Sequence, residues 1–158
     1  MMISNVRGEF GLITGSVDFD PANLAASHVE ATIDATTIST REPPRDKHLK
    51  SHDFLDVARH PAITFQSTKI VSLGGNRYNL SGDLTIRGVK RGTMVHVEAL
   101  TPEIKDSEGL LRRGATATAR IQRSDFGLTW NAVLESGGFV VGDEVDITID
   151  VELIRKAE

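Results

Sequence analysis

The chain contains no cysteine, which excludes disulfides, thiol catalysis and thiolate metal sites. Positive charge is not in excess: 18 Lys and Arg stand against 22 Asp and Glu, a net charge of −4. Such a chain offers no field to gather nucleic acid or anionic lipid, so neither is expected as a partner. No apolar run approaches the roughly 18 residues of an integral membrane span. Residues 1–11 lack the charged start, apolar centre and small-residue cleavage site of a secretory signal. The expected compartment is therefore the cytoplasm, or the periplasm for a processed chain. Heptads, internal repeats and low-complexity tracts are missing too. What remains is 158 residues with 39% hydrophobic and 25% charged content, which fits a single domain over 1–158.

Most of the chain alternates apolar and polar residues with period two. Residues 2–10 do so weakly, and with Ile13, Gly15, Val17 and Phe19 they read as one long strand bent at Gly11 and ended by Asp20-Pro21. Val29, Ala31, Ile33 and Ala35 then oppose Glu30, Thr32, Asp34 and Thr36. Ile63 and Phe65 begin a strand that reaches Leu73, where Gly74-Gly75-Asn76 turn the chain because they accept positive φ at little cost. Tyr78, Leu80, Gly82, Leu84 and Ile86 form the next face, a turn is expected over residues 88–92, and Val95, Val97 and Ala99 follow. Beyond a polar loop at 105–109, Ala115, Ala117, Ala119 and Ile121 share a face. The cleanest alternation is last: Val145, Ile147, Ile149, Val151 and Leu153. One polar face per strand indicates an antiparallel sheet with one solvated side. The fold class is all-β, an antiparallel β-barrel of about seven to eight strands that closes to remove aggregation-prone edges.

Residues 41–65, REPPRDKHLKSHDFLDVARHPAITF, break this pattern and hold three of the five prolines and three of the five histidines. Pro43 and Pro44 end the preceding strand. Asp46 is expected to cap a short helix over 47–52, with Leu49 pointing inward and Phe54 and Leu55 in an irregular turn. Pro61 releases the chain into the next strand. The segment reads as a helical cap over one barrel end, framing the mouth of an apolar cavity.

The inward faces are rich in small residues: Gly15, Ala31, Ala35, Gly82, Ala99, Ala115, Ala117 and Ala119. Either they leave room for one slender apolar ligand, or they face Phe19, Phe65 or Trp130 and the core is solid. Candidate lining residues are Phe54, Phe65, Phe126 and Trp130 at the wall or mouth, with Ile33, Leu84, Val97 and Ala117 deeper. Arg45, His48 and Asn131 are candidates for a polar head group, since arginine offers carboxylate or phosphate a planar fork of donors. Asp46 beside His48, and Arg123 and Asp125 beside the aromatic group of Phe126 and Trp130, belong with them; the same groups could instead pin cap to barrel, and the pinning role is preferred. His48 and His52 have the spacing of some helical metal ligands, but such pairs arise often by chance and His52 looks solvent-facing, so no metal is assigned. Ser51 and His48 have no nucleophile turn, and Gly74-Gly75 and Gly137-Gly138 are hairpin-like, not phosphate cradles. No catalytic residue or cofactor is assigned, and an enzyme is not expected.

The stretch RDKHLKSHDFLDVARHPAITF resembles the signature of the YceI-like, polyisoprenoid-binding family at Arg45, Asp46, His48, Leu49, Ser51, Asp53, Phe54, Asp56, Pro61 and Phe65. VRGEFG, SGDLTIRGVKR, SDFGLTWN and VGDEVDITIDVEL match in order, so the resemblance covers essentially the whole chain. It implies a lipocalin-like barrel whose tunnel holds a long-chain isoprenoid or fatty-acyl ligand, with neither catalytic centre nor metal. Each buried CH₂ contributes about 0.8 kcal/mol, so an apolar tunnel alone supplies much of the affinity, and polar groups at the mouth need only orient the ligand. Members usually carry a strand ahead of the VRGEFG-like motif, whereas here Met1 stands just before it. An open seam between first and last strands is therefore expected, exposing Met2, Val6 and Ile149 unless a second subunit, strand exchange or a ligand covers it. The leading functional expectation is binding, transport or storage of such a lipid. The alternative is an interaction module with a solid core and an open edge that recruits a partner.

Overall fold

Period-two alternation becomes an eight-stranded antiparallel sheet in the computed structural model, which describes residues 6–98, 101–131 and 141–155. The strands are β1 (Ile13–Asp18), β2 (His28–Asp34), β3 (Ala62–Gly74), β4 (Arg77–Ile86), β5 (Val89–Glu98), β6 (Ile104–Lys105), β7 (Leu111–Gln122) and β8 (Glu144–Ile154), with one helix, α1 (Pro43–Lys50). Neighbours run β1-β2-β3-β4-β5-β7, and β7 also pairs with β6 and β8. The sheet curls into a half-barrel of the lipocalin-like kind. Among the described residues β1 pairs only with β2 and β8 only with β7, so the seam between them is open. Val6 is 59% exposed, Ile149 is half-buried against Ala117, and Met2 lies outside the described residues, as do Ala99 and Gly137-Gly138.

Several boundaries differ from the sequence expectation. Of residues 6–10, only Glu9 pairs, exchanging two backbone hydrogen bonds of 2.8 Å with Ser39, so no strand continues into β1. The second strand stops at Asp34 because its carboxylate accepts from the Thr36 amide and folds Ala35–Thr37 into a 3-10 turn. β4 and β5 are joined by Arg87 and Gly88 alone, with φ of 51° and 73°, so Gly92 lies inside β5 and the turn is not 88–92. Two positive φ values give the turn whose twist matches the flanking strands.

The helix also begins earlier than expected. Pro43 and Pro44 occupy its first turn, where no amide donor is needed. Glu42 takes the N-cap position without a side-chain bond, and Asp46 instead reaches back to the Thr40 amide (2.7 Å) and hydroxyl (2.5 Å). The helix ends at Lys50, so His48 and His52 do not share a helical face, and the His52 side chain is 81% exposed.

Packing is uneven along the barrel axis. At the α1 end Ala35, Ile63, Leu84, Ile86, Ile121, Phe126 and Leu128 form a buried cluster, and Leu55 and Val57 from the segment after α1 pack onto it. Gly82 serves this packing: a Cβ there would come within 2.5 Å of the Phe65 ring. Toward the opposite end Ile70 and Leu80 are buried on β3 and β4, whereas Ala115, Ala117 and Ala119 of β7 stay only half-buried.

Candidate functional site

Three rings meet under the cap. His48, on α1, stands edge-on to Phe54 (5.0 Å between centroids) and to Trp130 (4.5 Å), and Phe54 lies 5.3 Å from Trp130. The Asp53 carboxylate holds the other side of the imidazole, 2.8 Å from Nε2. Edge-to-face rings at these separations attract one another beyond simple burial. Trp130 arrives from the far side of the chain and is fixed there by Arg123. That guanidinium is 7% exposed and donates to the carbonyls of Leu128 (2.6 Å), Trp130 (2.8 Å), Gly142 (2.8 Å) and Val141 (3.2 Å). It also faces the Phe54 ring at 6.0 Å.

The polar candidates are engaged within the protein. Arg45 donates to the Thr40 hydroxyl (2.9 Å) and carbonyl (3.2 Å) and pairs with Glu42 at 3.1 Å. Asn131 donates to the Val141 carbonyl at 2.7 Å and accepts from the Val141 amide at 2.9 Å, imitating a strand pair. The Thr40 hydroxyl holds the Asp46 carboxyl below its ordinary pKa, and the Ser124 hydroxyl does the same for Asp143. Hydrogen bonds made to the ionised form cause both shifts.

The twelve residues singled out from the sequence thus divide into three places. Arg45, His48, Leu49, Phe54, Trp130 and Asn131 belong to the cap and the loop beneath it. Leu84 and Phe126 lie in the buried cluster, with Ile33 and Phe65 packed against it. Phe126, expected at the wall or mouth, is 2% exposed within the buried cluster, where the turn Arg123–Phe126 folds it inward. Val97 and Ala117 face each other across β5 and β7 in the other half. There Ala115, Ala117 and Ala119 pair with Val151, Ile149 and Ile147 of β8, a row of small and branched apolar residues on one face of the sheet. Phe19 and Tyr78 meet edge-on at 5.4 Å, with Tyr78 the β4 partner of Val97.

The YceI-like domain family matches residues 1–153. The chain belongs to the YceI-like family. A UPF0312 protein of Vibrio cholerae is 31% identical over 153 residues, covering 97% of this chain and 76% of its own length. Another from Azotobacter vinelandii is 33% identical over 149 residues, 94% and 74% of the two lengths. The crystal structure of Campylobacter jejuni YCEI protein superposes with a TM-score of 0.81 at 28% identity, covering 99% of this chain and 89% of that one. Burkholderia cenocepacia BcnA gives 0.78 at 26% identity, covering 92% and 86%.

Within this YceI-like protein the sequence singled out Arg123 beside the aromatic group as a head-group or pinning residue, but nothing local signals that four carbonyls from two loops converge on it. The Phe19–Tyr78 contact, which joins the residue after β1 to β4, three places away in the sheet order, was not read from the sequence, although both residues fall on inward positions of their alternation. No helix among the described residues is long and apolar enough to cross a membrane.

Proposed function

We propose that this YceI-like protein binds a long-chain amphiphile, an isoprenoid or a fatty-acyl chain, in the apolar trough over β7 and β8, and carries or stores it without catalysis. The observation that supports this most is the alanine row. Ala115, Ala117 and Ala119 occupy successive inward positions opposite Val151, Ile149 and Ile147, yet remain half-buried. Methyl groups in a row leave a channel that larger side chains would fill. At about 0.8 kcal/mol per buried CH₂, a chain of ten carbons seated there gains on the order of 8 kcal/mol before ordering costs.

The cap takes the role of a closed end. Its rings meet edge-on or tilted, Arg45 is engaged by Thr40 and Glu42, and the Asn131 amide by Val141. Head-group recognition by Arg45, His48 and Asn131 is accordingly not part of the proposal. Native mass spectrometry after gentle purification tests it. The expected spectrum carries a bound lipid mass at one per chain, removable by organic extraction and restored by adding a polyprenol or palmitate. Apoprotein alone, before and after such additions, would refute the reading.

A further inference from the structure

β5 and β7 are paired only over residues 96–98 and 116–118. Toward the cap they separate. Residues 89–95 keep their partners in β4 and residues 119–122 keep theirs in β8, but the two strands share none with each other. An open cleft of about 420 Å³ lies between them, with Gly92, Thr93 and Met94 on one wall, Arg120 and Ile121 on the other, and Phe126 beneath. Thr93 and Ile121 belong to the inner face of the sheet, Met94 and Arg120 to the outer one, so the cleft cuts through the sheet. Phe126, 2% exposed, closes its inner side.

We propose that this cleft binds an extended peptide segment of a partner protein, which enters as an added strand between β5 and β7. The warrant is chemical. Among the described residues each wall is a strand edge whose backbone donors and acceptors have no ladder on that side, and an extended peptide supplies partners for both at once. The seam strands β1 and β8 offer a guest one edge each. The size agrees: a strand rise of about 3.3 Å, a strand spacing of about 4.8 Å and a layer of about 10 Å give roughly 160 Å³ per residue, so the cleft holds about two to three residues. An apolar side chain at the centre of the guest would rest on Ile121 and Phe126.

Charge sets the flanks. Arg120 is already held by Asp146 at 2.7 Å and Glu144 at 2.8 Å. Arg91 reaches no carboxylate among the described residues and donates only to the Lys90 carbonyl at 2.9 Å. Asp125, also lining the cleft, makes no ion pair among the described residues. One free cation and one free anion therefore await a guest with an acidic residue on one flank of its apolar centre and a basic residue on the other.

The test uses the full ¹⁵N-labelled chain and two acetylated, amidated heptapeptides, Thr-Glu-Val-Val-Val-Lys-Thr and the charge-reversed Thr-Lys-Val-Val-Val-Glu-Thr. One charge order should bind more tightly, shifting amide resonances and slowing hydrogen exchange at residues 91–94 and 119–122. Methylating alternate peptide nitrogens should abolish the effect, and Arg91→Glu should weaken the preferred peptide about fivefold while improving the other. Silence from both peptides at millimolar concentration overturns the proposal. So do equal effects from the methylated peptide, shifts confined to the β1 or β8 edge, or palmitate perturbing these amides while the peptides do not.

Discussion

The two ends of this barrel are built from opposite materials. The cap end packs Phe126, Leu128, Ile63 and Ile86 into a buried cluster, closes it with Leu55 and Val57, and rivets its loops with the buried Arg123. The other end lines β7 with alanine and keeps those side chains half-exposed. β7 and β8 stay paired from Arg112 and Ile154 to Gln122 and Glu144, so along these strands backbone pairing does not set the difference; side-chain volume does. The proposed lipid binding asks for one end that holds the fold and one that stays empty enough to load, and it assigns the two requirements to separate residues.

That contrast is open to direct attack. The largest effect should come from Phe126→Ala, which empties a fully buried ring position and should cost about 3–5 kcal/mol in denaturant unfolding. A cost below about 1 kcal/mol would show that the cap end is not the rigid half. Arg123→Leu comes next. It leaves four carbonyls without their donor, for a loss of at least about 2–3 kcal/mol, and it should shift Trp130 emission because the ring loses its anchored carbonyl. Unchanged emission would detach Trp130 from Arg123.

A smaller effect concerns acid. Asp46 and Asp143 are held below the ordinary carboxylate pKa by Thr40 and Ser124, and Asp146 by Arg120, all toward the cap end. At the other end Asp106 is lowered by Arg112. For a lowered carboxyl, the stabilisation is complete above the unfolded value of about 4 and is lost as pH falls through the folded one. The cap should therefore loosen below about pH 4, with Trp130 emission changing before far-UV circular dichroism. In Asp46→Asn this early change should be shallower. Simultaneous loss of both signals, identical in the variant, would contradict the assignment.

Most of the strands were legible because one solvated face imposes period two on side-chain choice, as in Val145 to Leu153. Turns were legible where glycine announces positive φ, at Gly74-Gly75, and misjudged where Arg87 adopts it instead. The helix start was placed too late because Asp46 is a strong capping residue in isolation, whereas Thr40 claims its carboxylate. The site was only partly legible. Phe126 and Trp130 stand four residues apart in an aromatic group, yet one is core and the other meets His48. What separates them is the inward fold of Arg123–Phe126, fixed by long-range bonds between Arg123 and residues 141–142 that carry no local signature.

The central claim, an apolar trough kept open by small side chains, is tested most directly by Ala117→Leu with stability and palmitate binding measured on the same sample. The account predicts stability within about 0.5 kcal/mol of the parent, together with at least a tenfold loss of palmitate binding. A destabilisation of about 1–3 kcal/mol from overpacking, with palmitate binding absent or unchanged, would show a solid core and contradict it.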